Sequence, residues 1–118
     1  MGASPKPERY SNRAIQMLRS HGHPVAAIGL REGRVADVAI KKHIDDLPAS
    51  EQWHTLSLYL GPSRQEKLPE VVQKLDIQRV IFNPGTENTE MEQWLQENQI
   101  AFEVACTLVM LATEQYGH

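Results

Sequence analysis

Residues 55–85 read TLSLYLGPSRQEKLPEVVQKLDIQRVIFNPG, and this stretch decides the fold. Thr55 to Leu60 is an apolar segment of strand length, closed by Gly61-Pro62. Arg79 to Phe82 is a second strand, closed by Asn83-Pro84-Gly85. Between them Leu68, Val71, Val72 and Leu75 recur at helical spacing, and Ser63 stands where a cap is needed. Strand, helix and strand joined by short turns form a βαβ unit, which builds a parallel sheet.

The same alternation continues in both directions. Downstream, Thr86 is placed to cap a helix through Met91, Trp94 and Leu95. Ala101 to Ala105 is the last strand, and Thr107 opens a short apolar segment, LVMLA. Upstream, Val25 to Leu30 (VAAIGL) is a continuous apolar run, which suits a strand buried on both faces. The charged REGR (Arg31 to Arg34) follows it, and Val38 to Ile40 is short enough for a further strand. Ala14, Ile15, Met17 and Leu18 form one apolar stripe on a helix from about Ser11 to His21, with Gly22 as its stop. The pattern predicts an α/β fold: one domain over residues 1–118, doubly wound, with a mostly parallel sheet between two helical layers (αβα). A doubly wound sheet has its first strand before its glycine loop, and only Met1 precedes Gly2. The expectation is therefore a first strand missing or truncated, a native chain reaching upstream of Met1, and a poorly anchored loop at Gly2.

In open parallel sheets ligands bind beyond the carboxyl ends of the strands. Those ends are Gly2-Ala3-Ser4, Gly29-Leu30-Arg31, Leu60-Gly61-Pro62, Asn83-Pro84-Gly85-Thr86 and Cys106-Thr107, each with a small or turn-forming residue. The first belongs to GASPKPERYS (residues 2–11), which has the make-up of a phosphate-gripping loop. Gly2 and Ala3 let a ligand approach the backbone, Ser4 adds a hydroxyl, and Arg9 carries a planar fork that fits phosphate oxygens. Ser11 follows as the expected N-cap of a helix whose first turn offers free N–H groups and a positive dipole end.

Composition narrows the function classes. Hydrophobic residues are 41% and charged residues 23% of the 118, as in a soluble globular domain. Net charge is −3 and no lysine or arginine block occurs, which argues against a nucleic-acid surface. No apolar run is long enough to span a membrane. Cys106 is the single cysteine, so no intrachain disulfide can form, and a reducing, cytoplasmic setting is expected. The histidines show no metal-ligand spacing, and His21 and His23 merely flank Gly22.

The type of nucleotide is indicated by charge. Dinucleotide sites for NAD place an acid at the end of the second strand to hold ribose hydroxyls. Here that end carries Arg31, with Arg34 close behind and Glu32 between them. Arginine attracts a phosphorylated ribose, as in CoA or NADP.

The segments GASPKPERYS, GHPVAAIGLREG, TLSLYLGP, RVIFNPGTEN and ACTLVML resemble the small CoA-binding proteins. These are stand-alone Rossmann-like domains, similar to the nucleotide-binding domain of the succinyl-CoA ligase α subunit. The resemblance runs from Gly2 to about Tyr116. It implies coenzyme A or an acyl-CoA lying across the strand ends, with Gly2, Ala3, Ser4 and Arg9 facing phosphates. It also implies Arg31 near the adenosine end, Leu60, Gly61 and Pro62 along the adenine and pantetheine side, and Asn83, Pro84 and Gly85 at the far end. The leading expectation is a non-catalytic binding or regulatory module. The alternative is an NADP-dependent or thiol-redox enzyme using Cys106. Pairing with a second copy is a further expectation, since an open sheet short of a strand can be completed that way.

Overall fold

The computed structural model describes residues 1–3, 6, 9–22, 25–29, 33–42 and 53–112. The chain divides into two compact units, Met1–Pro48 with Thr107–His118, and Ala49–Cys106.

The first unit begins with helix α1 (Tyr10–Ser20), which starts one residue before the expected Ser11. Arg9 occupies the N-cap position in extended conformation, and its side chain does not cap the helix. Ser11 already lies within the first turn and is buried, so it is not the cap the sequence suggested. The expected stripe is present, with Ala14, Ile15 and Leu18 buried. The stop is also as expected, Gly22 taking φ +80 and donating its amide to Arg19 O.

Three strands follow: β1 (Ala27–Ile28), β2 (Gly33–Val35) and β3 (Val38–Lys41), in the spatial order β1-β3-β2. β1 and β3 are parallel, with Ala27 opposite Ile40. β2 and β3 form an antiparallel hairpin, which the sequence reading did not anticipate. Its turn is made by Ala36, at φ 54, and Asp37, without the glycine that usually signals such a turn. Ile15 of α1 packs with Ala27, Val35, Val38 and Ile40, and Ala3 and Val25 cover this cluster. Helix α4 (Thr107–Ala112) packs against α1 and buries Thr107, Met110 and Leu111.

Met1 to Ala3 do not form a strand, yet the segment is anchored. The amides of Gly2 and Ala3 both donate to Ile28 O at 2.9 Å. Gly29 extends β1 by donating to Lys41 O at 2.9 Å. A Cβ on Gly29 would collide with the carbonyl oxygen of Ala3 and stand 3.1 Å from Ile40 Cγ2. Glycine is therefore required here by close approach of another backbone, and the loop at Gly2 is better held than the sequence suggested.

The second unit is a parallel three-stranded sheet, β4 (Thr55–Leu58), β5 (Arg79–Phe82) and β6 (Ala101–Val104), in the order β4-β5-β6. Central β5 is buried along its whole length, as its apolar sequence requires. Arg79 is accommodated there with its Nε donating to Thr55 Oγ1 across the ladder at 3.1 Å. Helices α2 (Leu68–Lys74) and α3 (Thr89–Glu97) connect the strands and bury Leu68, Val71, Val72 and Leu95. The Phe82 and Phe102 rings meet edge to face at 6.0 Å.

Both expected caps of this unit are displaced. Ser63 lies in a single 3-10 turn, Pro62–Arg64, and α2 starts afresh at Leu68 with Pro69 in its first turn, where the missing N–H is harmless. Asn88, not Thr86, caps α3: its Oδ1 accepts from the amides of Glu90 and Met91. Thr86 turns the other way and donates its hydroxyl to Asn83 O at 2.7 Å.

Three outcomes are expected. Gly29→Ala should destabilise the protein by about 1–3 kcal/mol through forced repacking, and hydrogen exchange should show the Gly2 and Ala3 amides losing protection before those of β3. Asn88→Ala should cost about 1 kcal/mol, read as a lower denaturant midpoint with an unchanged slope. Arg19 Nε and Nη2 donate to the two Asp37 oxygens at 2.8 and 2.7 Å. These hydrogen bonds, aided by charge attraction, hold the Asp37 carboxyl below its ordinary value. The small stability this pair adds is present above the ordinary aspartate range and is lost as pH falls through the folded value. An NMR titration should find the Asp37 midpoint depressed, and Arg19→Met should return it upward.

Candidate functional site

The residues expected at the site fall in both units. In the first, Gly2 at φ +88 turns the chain so that both its amide and that of Ala3 reach Ile28 O. Those two donors are engaged in holding the loop. The start of α1 is better suited to an anion. Arg9 is exposed there, and the first turn of α1 holds no acidic residue. The positive end of the helix dipole and an arginine thus fall at one helix end. Ser4 and Arg31 lie outside the described residues.

The contrast with α3 is instructive. Its N-terminus is closed by Asn88, and Glu90 and Glu92 occupy its first turn. An anion would meet filled donors and two negative charges there. Of these two helix starts, only that of α1 is chemically suited to phosphate.

In the second unit the ends of β4 and β5 lie side by side, since the last ladder pair is Leu58 with Phe82. Leu60 and Gly61 are half-buried, and Pro62, Pro84 and Gly85 are exposed. Gly85 needs its glycine for φ +89. Asn83 is 1% exposed, and its Nδ2 donates to Ser57 Oγ and Leu58 O, both at 2.9 Å. Its side chain is therefore directed back into the sheet, where it ties the end of β5 to β4. Thr86 donates both its amide and its hydroxyl to Asn83 O, which closes the turn around Pro84-Gly85.

Two residues of this network were not singled out by the sequence. Gln65 is 1% exposed and its Nε2 donates to Leu60 O at 2.9 Å and Thr86 O at 2.7 Å. Asn88 donates its Nδ2 to Gln65 Oε1 at 3.2 Å while capping α3. A cap signal for Asn88 existed, because Asn is among the best N-caps and acids follow it, but Thr86 competed for the role. No local signal marks Gln65, whose partners lie five and twenty-one residues away in sequence.

Cys106 is half-buried, just past β6, where Ala105 N continues the pairing by donating to Phe82 O. Among the described residues no cluster of three His, Cys, Asp or Glu side chains could hold a metal ion. Among them, too, no helix is long and apolar enough to cross a membrane.

Comparison with known proteins agrees with this picture. A family model described as a CoA binding domain matches residues 1–112. The crystal structure of an uncharacterized protein is 39% identical, with a TM-score of 0.88, over 98% of this chain and 93% of that one. A hypothetical protein from Pyrococcus horikoshii OT3 is 25% identical, with a TM-score of 0.83, over 95% of this chain and 78% of its own. A protein from Thermus thermophilus is 24% identical, with a TM-score of 0.82, over 98% of this chain and 87% of its own. Among curated proteins no match is found. The fold class is the α/β, Rossmann-like one that the strand and helix pattern predicts, and the chain belongs to the family of CoA binding domains.

Proposed function

We propose that this protein binds coenzyme A or an acyl-CoA as a binding or regulatory module. The observation that carries the reading is the start of α1: a first turn free of acidic residues at the positive end of the helix, with Arg9 at its head. The family supports a CoA-binding role. A CoA molecule carries a pyrophosphate and a 3′-phosphate, so it needs separate anion-holding points.

Roles are assigned unit by unit. In the first unit Gly2, Ala3, Ser4 and Arg9 attend the phosphates. Gly2 and Ala3 do so by shaping the loop rather than by their own amides, which Ile28 O holds. Arg31 attends the adenosine 3′-phosphate. In the second unit Leu60, Gly61 and Pro62 pack along adenine and pantetheine, and Pro84 and Gly85 line the far end, held in place by Asn83. The ligand itself supplies the thiol, and the protein's part is to bind and orient. A cytoplasmic setting belongs to the same proposal.

Calorimetric titration with CoA, dephospho-CoA, NADP and NAD tests this. CoA should bind saturably, and about tenfold more tightly than dephospho-CoA, the order of one charge-assisted phosphate contact. Arg31→Ala should abolish that difference, and Arg9→Ala should weaken both ligands. Preference for NADP over CoA would instead favour a redox enzyme, and absence of binding to all four would overturn the reading.

A further inference from the structure

We infer that Gln65 is a positioning residue of the ligand site, its side-chain amide fixing the loop after β4 to the loop after β5. The inference rests on the CoA reading above and names a residue that reading does not use.

The argument begins where the ladder stops. Paired backbone ends at Leu58 and Phe82, so the carbonyls of Leu60 and Thr86 lie beyond the strands' own pairing. Gln65 Nε2 supplies one hydrogen to each, at 2.9 and 2.7 Å. Its Oε1 is in turn held by Asn88 Nδ2 at 3.2 Å, and Asn88 is fixed by capping α3. Both donors of the amide are thus used, and the plane of the group is set by a third residue. Glutamine is rarely so deeply buried, and here it is 1% exposed. No other uncharged side chain of that length carries two hydrogens on one nitrogen. Gln65 thereby does for the two loops what a further ladder rung would do. The surfaces it braces are those of Leu60 to Pro62 and of Pro84 to Gly85. A ligand meeting loops already fixed loses less conformational freedom on binding.

The test uses Gln65→Met, which keeps length and apolar stem, and Gln65→Glu, which keeps length and loses both donors when ionised. CoA affinity is measured by calorimetry, and loop order by hydrogen exchange at the amides of Arg64, which donates to Gly61 O, and Thr86, which donates to Asn83 O. In Gln65→Met, β5 amides should keep their protection while the two loop amides exchange about tenfold faster and CoA binds about tenfold more weakly, as expected for loss of a buried hydrogen-bonding pair. In Gln65→Glu, burial and the two facing carbonyl oxygens raise the carboxyl pKa. Lowering the pH into the mildly acidic range should therefore restore one donor. Loop protection and CoA affinity, each relative to the original protein at the same pH, should then recover in part, which a merely space-filling residue would not show. Unchanged loop exchange and affinity in Gln65→Met, or no acid recovery in Gln65→Glu, would overturn the inference. Should Gln65→Met not fold, the acid recovery of Gln65→Glu decides. Should the original protein not bind CoA, the CoA reading fails, and loop exchange alone decides on Gln65.

Discussion

Where a parallel sheet runs out, the next backbone groups have no ladder partner, and in both units of this chain a loop amide or a side chain supplies one. In the first unit Ile28 O, at the end of β1, accepts from the amides of both Gly2 and Ala3. In the second, the carbonyls of Leu60 and Thr86 accept from Gln65, and Leu58 O accepts from Asn83. An unsatisfied buried donor or acceptor costs about 1–3 kcal/mol. The residues that satisfy these groups therefore dictate where the loops can go. Gly29 follows from the same constraint: the Ala3 carbonyl approaches so closely that only a residue without Cβ fits.

Electrostatics then separates two helix ends that the strand pattern alone treats alike. Each helix start follows a loop, and each offers N–H groups and a dipole. Asn88, Glu90 and Glu92 make the start of α3 self-sufficient and negative. The first turn of α1 holds no acidic residue, and Arg9 heads it. A charge near a helix end is worth roughly 0.3–1 kcal/mol, so an anion is better tolerated at the start of α1 than at that of α3. The exposed Arg19–Asp37 pair, which joins α1 to the hairpin turn, adds little to stability.

Much of the fold was legible because burial leaves a mark on sequence. RVIF is the central strand over the very residues expected: Val80, Ile81 and Phe82 are apolar because both faces are covered, and Arg79, buried at its start, is held by Thr55 Oγ1. The TLSLYL and AFEVA strands were found but end early, at Leu58 and Val104, although apolar character continues and Ala105 N still donates to Phe82 O. From Val25 to Gly29 only Ala27–Ile28 is strand, with Gly29 N adding one more bond to Lys41 O, and Leu30 lies outside the described residues. The β2–β3 hairpin was illegible. Gly33 and Arg34 are exposed, so they carry no apolar pattern, and the turn at Ala36-Asp37 lacks glycine. Caps were misplaced by two to four residues, with Arg9, Lys67 and Asn88 in the cap positions, because Ser11, Ser63 and Thr86 have the right chemistry, and only the path of the backbone decides whose oxygen meets a free amide. For the site, the loop residues were legible as turn formers. Gln65 was not, because a long-range hydrogen bond from a side chain to a backbone carbonyl leaves no periodicity to detect.

The polar groups at the strand ends of the second unit bond within the protein. Asn83, Thr86, Gln65 and Asn88 form a continuous chain of hydrogen bonds from Ser57 to the start of α3. In this chain the donors point to protein oxygens, and the surface left at Pro62, Pro84 and Gly85 is small and relatively rigid. Proline fixes φ and offers no N–H, and Gly85 offers no side chain. Such a surface recognises shape and excludes water more than it reads hydrogen bonds, which matches an extended, flexible ligand arm better than a compact polar one. The first unit, where Arg9 is exposed at the positive end of α1, has the opposite character: charge rather than shape.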